Sequence, residues 1–404
     1  CSGSMKSNDP MGIGRNMVEA FVDTVHAEGI RIGYVAYNDT IMSYAAPVSV
    51  ADAKKRQSLK DCMESVSYAG DTDIGLGVSY AYALMQGREG KRLMVLISDG
   101  ETDLKPSAGR TVAQSNLELE QCMEQCREEG IQIYTVEFGE YGGDRAVLEE
   151  IAEETGAEKY SVKRPEDLIE ILYGIFQDNL FYQIRQFSSG TYAGGNQEIK
   201  CVLEDRYLDE IDVLLTSPGV VGDTVLSYGA GQAPVTKLSH YAVGKIESRM
   251  TDPSARELVI NTETTGNQEI QIFVVSYRNL LPVLQIDSSI TKNKEIPWRI
   301  YFRDRQGKAI EDEGFYQAFT CEIKWEDEAG PAETELKDGV FQGSRVFTGS
   351  GTYPFRLTLS DDYGTYFLES QIEVENTPPS GSMPVLEYTV LKGQTFCLDA
   401  YFED

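Results

Sequence analysis

The sequence predicts two fold classes in series, α/β over about the first 185 residues and all-β after it. Three observations predict this. Early in the chain, segments with helical spacing alternate with short apolar runs. Those runs end in Gly, Asn or Asp, as buried parallel strands do. Past residue 185 the helical spacing stops, and short strand-like runs are separated by turn chemistry.

In order, Met11 to Glu28 places Met17, Phe21 and Val25 on one helical face. Gly29 stops that helix. Ile30 to Tyr37 reads as a strand, and Asp52 to Val66 and Ile74 to Met85 read as helices. Arg92 to Ile97 is a strand that ends at Ser98-Asp99-Gly100. Val112 to Glu129 is helical, Ile131 to Phe138 is a strand, and Asp144 to Thr155 and Glu166 to Asn179 are helices around a short strand near Lys159-Tyr160. Strands alternating with helices imply a parallel sheet covered on both faces.

The second class begins with strands at Glu198 to Leu203, Ile211 to Thr216, Leu258 to Asn261 and Glu269 to Tyr277, separated by turns such as Ser217-Pro218-Gly219 and Thr265-Gly266-Asn267. Leu281-Pro282 marks a seam. Runs at Pro297 to Phe302, Phe319 to Trp325, Tyr353 to Leu359 and Tyr366 to Val374 then suggest another sandwich. Asn376 to Gly381 (NTPPSG) reads as a stiff linker. The expected domains are 1–185, a β-sandwich at 186–281, a second at 282–375, and a linker with the start of a further β module at 376–404.

Composition narrows the function classes. The net charge is −29. That argues against a nucleic-acid partner, which needs clustered Lys and Arg. No run of about eighteen apolar residues spans a membrane, and no basic start followed by an apolar run is present in this stretch. Seven cysteines at irregular spacing do not form a disulfide framework. Cys122 and Cys126 share a helix, but no histidine lies near them to complete a zinc site. The two histidines, His26 and His240, lie near no candidate nucleophile, and no Gly-x-Ser-x-Gly elbow or Walker motif occurs. An amino-terminal nucleophile at Cys1 would need a four-layered fold that this alternation does not give. The sequence therefore points to binding, with no catalytic residues.

Three segments carry the chemistry. Cys1-Ser2-Gly3-Ser4-Met5 is a Gly-containing loop running into a helix. Gly70-Asp71-Thr72-Asp73 is a second loop entering a helix, and Asp99 stands at the end of a buried strand. Loops at the carboxyl ends of parallel strands meet in one crevice, so Ser2, Ser4, Thr72 and Asp99 are expected to converge. Three hydroxyls and one carboxylate are hard oxygen donors, suited to Mg²⁺ or Mn²⁺. They leave a coordination position and part of the ion's charge for a partner's carboxylate. Asp71, Asp73, Glu101 and Asp103 flank the site as rim charges, and Asp9 is expected to be a loop or helix-start residue. Asp361-Asp362, Asp399, Glu403 and Asp404 are candidate Ca²⁺ ligands in the β modules, weighed against solvated turns.

The three segments resemble the metal-ion-dependent adhesion site of von Willebrand factor type A domains. That pattern is Asp-x-Ser-x-Ser, then a Thr, then an Asp. Ser2 and Ser4 match the serines, Thr72 the threonine and Asp99 the final acid. The resemblance covers about residues 1–180 and implies a Rossmann-like fold, with Mg²⁺ or Mn²⁺ held by Ser2, Ser4, Thr72 and Asp99 and completed by a Glu or Asp of a protein ligand. It also implies that the pattern's first Asp, and the central strand leading to it, lie upstream of Cys1. By analogy, the last helix shifts when ligand binds. Residues 186–280 look similar to the β-domain that follows such domains in bacterial surface proteins, and 376–402 resemble the start of a cadherin-like repeat. The expectation is a modular extracellular adhesion protein, held at the membrane only through an anchor outside this chain. The alternative is an intracellular scaffold or chelatase-like subunit.

Overall fold

The computed structural model describes residues 1–404 except 27–28, 140–145, 181–182, 204–206, 209, 230, 248–256, 279, 287–289, 291, 305–306, 362–363, 376–379, 383–400 and 404. The chain divides into two compact units, Cys1–Arg278 and Asn279–Asp404.

Unit 1 opens with an α/β lobe. Its helices are α1 (Met5–Asn8), α2 (Ile13–Thr24), α3 (Ala53–Glu64), α4 (Ile74–Met85), α5 (Val112–Glu128), α6 (Ala146–Glu154) and α7 (Leu168–Leu180). Its strands are β1 (Arg31–Tyr37), β2 (Ile41–Ser49), β3 (Leu93–Ser98), β4 (Gln132–Phe138) and β5 (Lys159–Val162). β3, β4 and β5 form a parallel sheet, as the alternation implies. β1 instead pairs antiparallel with β2. β2 was not anticipated: its sequence, IMSYAAPVS, holds two alanines and Pro47 and has no clean alternation.

Both faces of the parallel sheet are covered. Met94 and Leu96 of β3 and Ile133 of β4 pack with α4, α5 and α6. Val95, Ile97 and Val136 face α2 and α7. This is the two-layer burial that keeps such strands apolar throughout. Asp9 lies in the loop between α1 and α2, three residues before Gly12 at the start of α2. Its carboxylate accepts from Ile13 N at 2.7 Å and Gly14 N at 2.9 Å, two of the donors a helix start leaves unpaired.

The chain then forms β6 (Gln183–Tyr192), β7 (Gly195–Val202), β8 (Glu210–Thr216), β9 (Thr224–Tyr228), β10 (Gly231–Ala233), β11 (Val235–Lys237), β12 (Tyr241–Glu247), β13 (Glu257–Thr264) and β14 (Gln268–Tyr277). They make a five-stranded sheet, β11-β12-β8-β14-β6, and a four-stranded one, β10-β9-β13-β7. Ile211, Val213 and Leu215 of β8 and Ile270, Ile272 and Val274 of β14 fill the core between these two sheets.

The alternate residues of the same strands point the other way. Leu214, Tyr241, Phe273 and Val275 belong to the core built by α2 and α7. Tyr173 of α7 stacks edge-on against Phe273 at 5.4 Å between centroids. The five-stranded sheet is thus buried on both faces, and the sandwich shares a core with the α/β lobe. Polar links cross the same seam. Tyr241 donates to Asp23 at 3.0 Å, and Asp23 also pairs with Lys60 at 2.7 Å.

Unit 2 contains β15 (Leu281–Ile286), β16 (Glu295–Arg303), α8 (Glu313–Tyr316), β17 (Thr320–Trp325), β18 (Pro331–Ala332), β19 (Glu335–Lys337), β20 (Val340–Val346), β21 (Gly351–Asp361) and β22 (Gly364–Val374). The two sheets are β15-β16-β20-β19 and β18-β17-β21-β22. Trp298, Phe302, Tyr316, Trp325 and Phe347 are all fully buried. Phe302 meets Tyr366 of the other sheet edge-on at 5.0 Å. Farther on, β23 (Ser380–Ser382) pairs with β24 (Tyr401–Glu403). Most of the expected linker, together with Asp362, Asp399 and Asp404, lies outside the described residues. Among the described residues no helix is long and apolar enough to cross a membrane.

Two substitutions test this packing. Phe273→Ala, at the shared core, is expected to cost about 3–5 kcal/mol in urea unfolding, because the cavity left between β14 and α7 cannot fully collapse. Asp9→Ala is expected to cost about 0.5–2 kcal/mol through loss of the α2 cap. A change under a few tenths of a kcal/mol would contradict either assignment.

Candidate functional site

The first loop is fixed from three sides. Met5 is buried beneath it. Gly3 N donates to Gly70 O at 3.0 Å, and Ala69 N donates to Cys1 O at 3.0 Å, so the loops at 1–4 and 69–72 run side by side. Tyr68 reaches across to donate to Asp9 at 2.7 Å. Burial and that carboxylate push the Tyr68 phenol above its usual range and keep it a donor.

The second loop depends on Gly70. Its φ is +79°, and a Cβ there would lie 2.4 Å from Asp39 Oδ1 and 2.6 Å from Asn38 Nδ2. Only glycine combines that backbone with that approach. Thr72 follows, buried, exchanging backbone hydrogen bonds with Asp103 at 2.9 Å each. The third segment is the end of β3. Ser98 donates its hydroxyl to Gly100 O at 2.9 Å, which turns the chain and leaves Asp99 facing the first loop.

Ser2 Oγ lies 2.8 Å from Ser4 Oγ and donates to Asp99 Oδ1 at 3.1 Å. Ser2 and Asp99 are both buried, at 4 % and 6 % exposure. The structure therefore brings Ser2, Ser4 and Asp99 into one hydrogen-bonded cluster. It places Thr72 on the adjoining loop, where Thr72 lines the same cavity as Ser2 and Asp99. Asn8 completes the cluster, donating to Asp99 Oδ2 at 3.0 Å. Sequence reasoning missed Asn8. The available signal was its position four residues after Ser4, on one face of a helical turn.

The cavity has a volume of about 1370 Å³. Its long walls are β1 and β3, with α2 and α7 behind, and Ser2, Thr72 and Asp99 stand at one end. β1 and β3 are not paired with each other, and each has its only described partner on the far side.

Two of the flanking acids have cationic partners. Asp71 accepts from Lys105 Nζ at 2.5 Å and Lys105 N at 2.9 Å, which holds its carboxyl below the usual range. Asp73 is fully buried. It caps α4 through Leu76 N at 2.9 Å, accepts from Ser115 Oγ at 2.6 Å, and pairs with Arg110 Nε at 2.7 Å. These two acids are neutralised locally, so Asp99 supplies the formal charge of the cluster. Cys122 and Cys126 are buried on α5, and their mutual hydrogen bond, together with burial, pushes the Cys122 thiol up. His240 is buried in the sandwich, and His26 lies at the seam with β8.

An aerotolerance-related membrane protein of Bacteroides fragilis is 17 % identical over 44 % of this chain and 94 % of its own, with a TM-score of 0.32. The conserved hypothetical protein BatB of Bacteroides thetaiotaomicron is 18 % identical over 44 % of this chain and 93 % of its own, with a TM-score of 0.33. The human COPII-coat protein Sec24c is 13 % identical over 69 % of this chain and 42 % of its own, with a TM-score of 0.31. None of the curated proteins matches. Residues 1–173 match the family model of the von Willebrand factor type A domain.

Proposed function

We propose that the first lobe is a divalent-cation-dependent recognition module that binds an acidic group on a partner protein. The observation that carries this reading is the convergence of side-chain oxygens from loops far apart in sequence. Ser2 and Asp99, separated by 97 positions, lie 3.1 Å apart with Ser4 alongside. The match of residues 1–173 to the A-type domain supports a role in protein–protein interaction.

The donor set suits the ion. Ser2, Ser4 and Thr72 offer neutral hydroxyls and Asp99 a carboxylate, all hard oxygen ligands of the kind Mg²⁺ and Mn²⁺ prefer. One carboxylate compensates only part of a double positive charge. A Glu or Asp from the partner supplies both a ligand and the missing charge, and that step is the recognition event. Asn8 orients Asp99 from behind, as outer partners of metal ligands do. The reading is one of binding, with no catalytic residue assigned. The β-sandwich that continues from α7 and the second unit suit a stalk displaying this module outside the cell. Ca²⁺ in the β modules is a further part of the proposal, resting on Asp361 among the described candidates.

Calorimetric titration of the full-length chain with Mg²⁺ and with Mn²⁺ tests the reading. Saturable binding by the parent is expected, with loss in Asp99→Ala and weakening in Ser4→Ala. A parent chain that is folded by circular dichroism and takes up neither ion would sink it.

A further inference from the structure

We propose that His26, Glu210 and Asp212 form a second metal site, for a transition ion of the Zn²⁺ class, which fastens the α/β lobe to the first β-sandwich. The proposal rests on different residues from the site above and stands independently of it.

The three side chains each offer a ligand atom, and all these atoms lie within 4.8 Å of one another. It is the only such group among the described residues. His26 follows the end of α2, while Glu210 and Asp212 stand two apart on β8 and so point to the same face. His26 Nε2 is 2.6 Å from Asp212 Oδ2 and 3.0 Å from Glu210 Oε1. One imidazole and two carboxylates are a borderline donor set, unlike the hydroxyl-rich cluster at Ser2 and Ser4. They suit Zn²⁺, with a fourth position left for water.

A hydrogen bond between His26 and Asp212 leaves part of the group unanswered. Asp212 is 1 % exposed, and its second oxygen, Oδ1, has no hydrogen-bond partner among the described residues. A buried carboxylate oxygen without a partner is costly. An ion among the three side chains would engage both oxygens of Asp212. In that state Zn²⁺ takes the place of the hydrogen on Nε2, which passes to the buffer.

The surroundings already orient the ligands. Lys245 Nζ holds Glu210 Oε2 at 2.6 Å and leaves Oε1 turned to His26. The His26 ring stacks on Tyr277 with centroids 5.1 Å apart and planes at 22°. β8 is the middle strand of its sheet, paired with β12 on one side and β14 on the other, so the two carboxylates sit on the stiffest part of the sandwich. Outer contacts of this kind set metal affinity by fixing ligand direction. Because the ligands come from both sides of the seam, the ion would bind only the joined form and stabilise it.

The test is Zn²⁺ titration of the full chain, followed by calorimetry and thermal melting, with Co²⁺ as a spectroscopic stand-in. The expected result is saturable uptake of Zn²⁺ with a rise in Tm. Both should be lost in His26→Gln and kept in Asp99→Ala. Should His26→Gln fail to fold, Glu210→Gln keeps the His26–Asp212 bond and is expected to lower Zn²⁺ affinity by roughly tenfold or more. Co²⁺ is expected to give visible ligand-field bands without thiolate charge transfer, which separates this site from the cysteines. The proposal is overturned if the folded parent takes up no Zn²⁺, if His26→Gln or Glu210→Gln binds as tightly as the parent, or if Co²⁺ shows thiolate ligation.

Discussion

The first unit depends on one constraint, that the five-stranded sheet β11-β12-β8-β14-β6 has no free face. One side closes on the four-stranded sheet through Ile211, Val213, Leu215, Ile272 and Val274. The other closes on α2 and α7 through Leu214, Tyr241, Phe273 and Val275. A half-exposed antiparallel sheet would alternate apolar and polar residues. Here β8 reads IDVLLT and β14 reads IQIFVV, nearly continuous apolar runs. The sandwich therefore cannot detach from the α/β lobe without exposing a whole apolar layer to water.

This constraint reaches the candidate site through α2. Asp9 caps that helix and, through Tyr68, also ties down the segment leading to Gly70 and Thr72. The helix that packs on the sandwich is thus the same helix whose start fixes the Ser2–Ser4 loop. α7, the other helix at the seam, packs edge-on to β14 through Tyr173. A displacement of either helix would be felt on both sides, which gives the proposed recognition module a mechanical route into the first β-sandwich.

Much of this was legible in the sequence. The α/β alternation marked every helix of the first lobe longer than one turn, and strands β1, β3, β4 and β5; for β3 and β4 the reason is that buried parallel strands are unbroken apolar runs. Loops at the carboxyl ends of parallel strands gave the expectation that Ser2, Ser4, Thr72 and Asp99 converge; hydrogen bonds join Ser2, Ser4 and Asp99, with Thr72 on the adjoining loop. The antiparallel β2 was not visible, since its small residues and Pro47 blur any period. Several strands of the sandwiches, β6 and β9 to β11 among them, were missed for a similar reason, being short or rich in Gly and Ser. The shared core was not legible either. A strand buried between two sheets and one buried between a sheet and helices carry the same apolar pattern, so β8 and β14 could not announce what lay on their second face. Asp212 was the exception within that pattern, a buried acid among apolar residues of the strand, and its contact with His26 accounts for its place.

The most direct test of this account is hydrogen–deuterium exchange by mass spectrometry across a urea series. If the sandwich and the α/β lobe are one cooperative unit, peptides from β8 and β14 lose protection at the same urea concentration as peptides from α2 and α7. If β8 and β14 stay protected after α2 and α7 have opened, the sandwich stands alone and the shared core is not what holds the unit together.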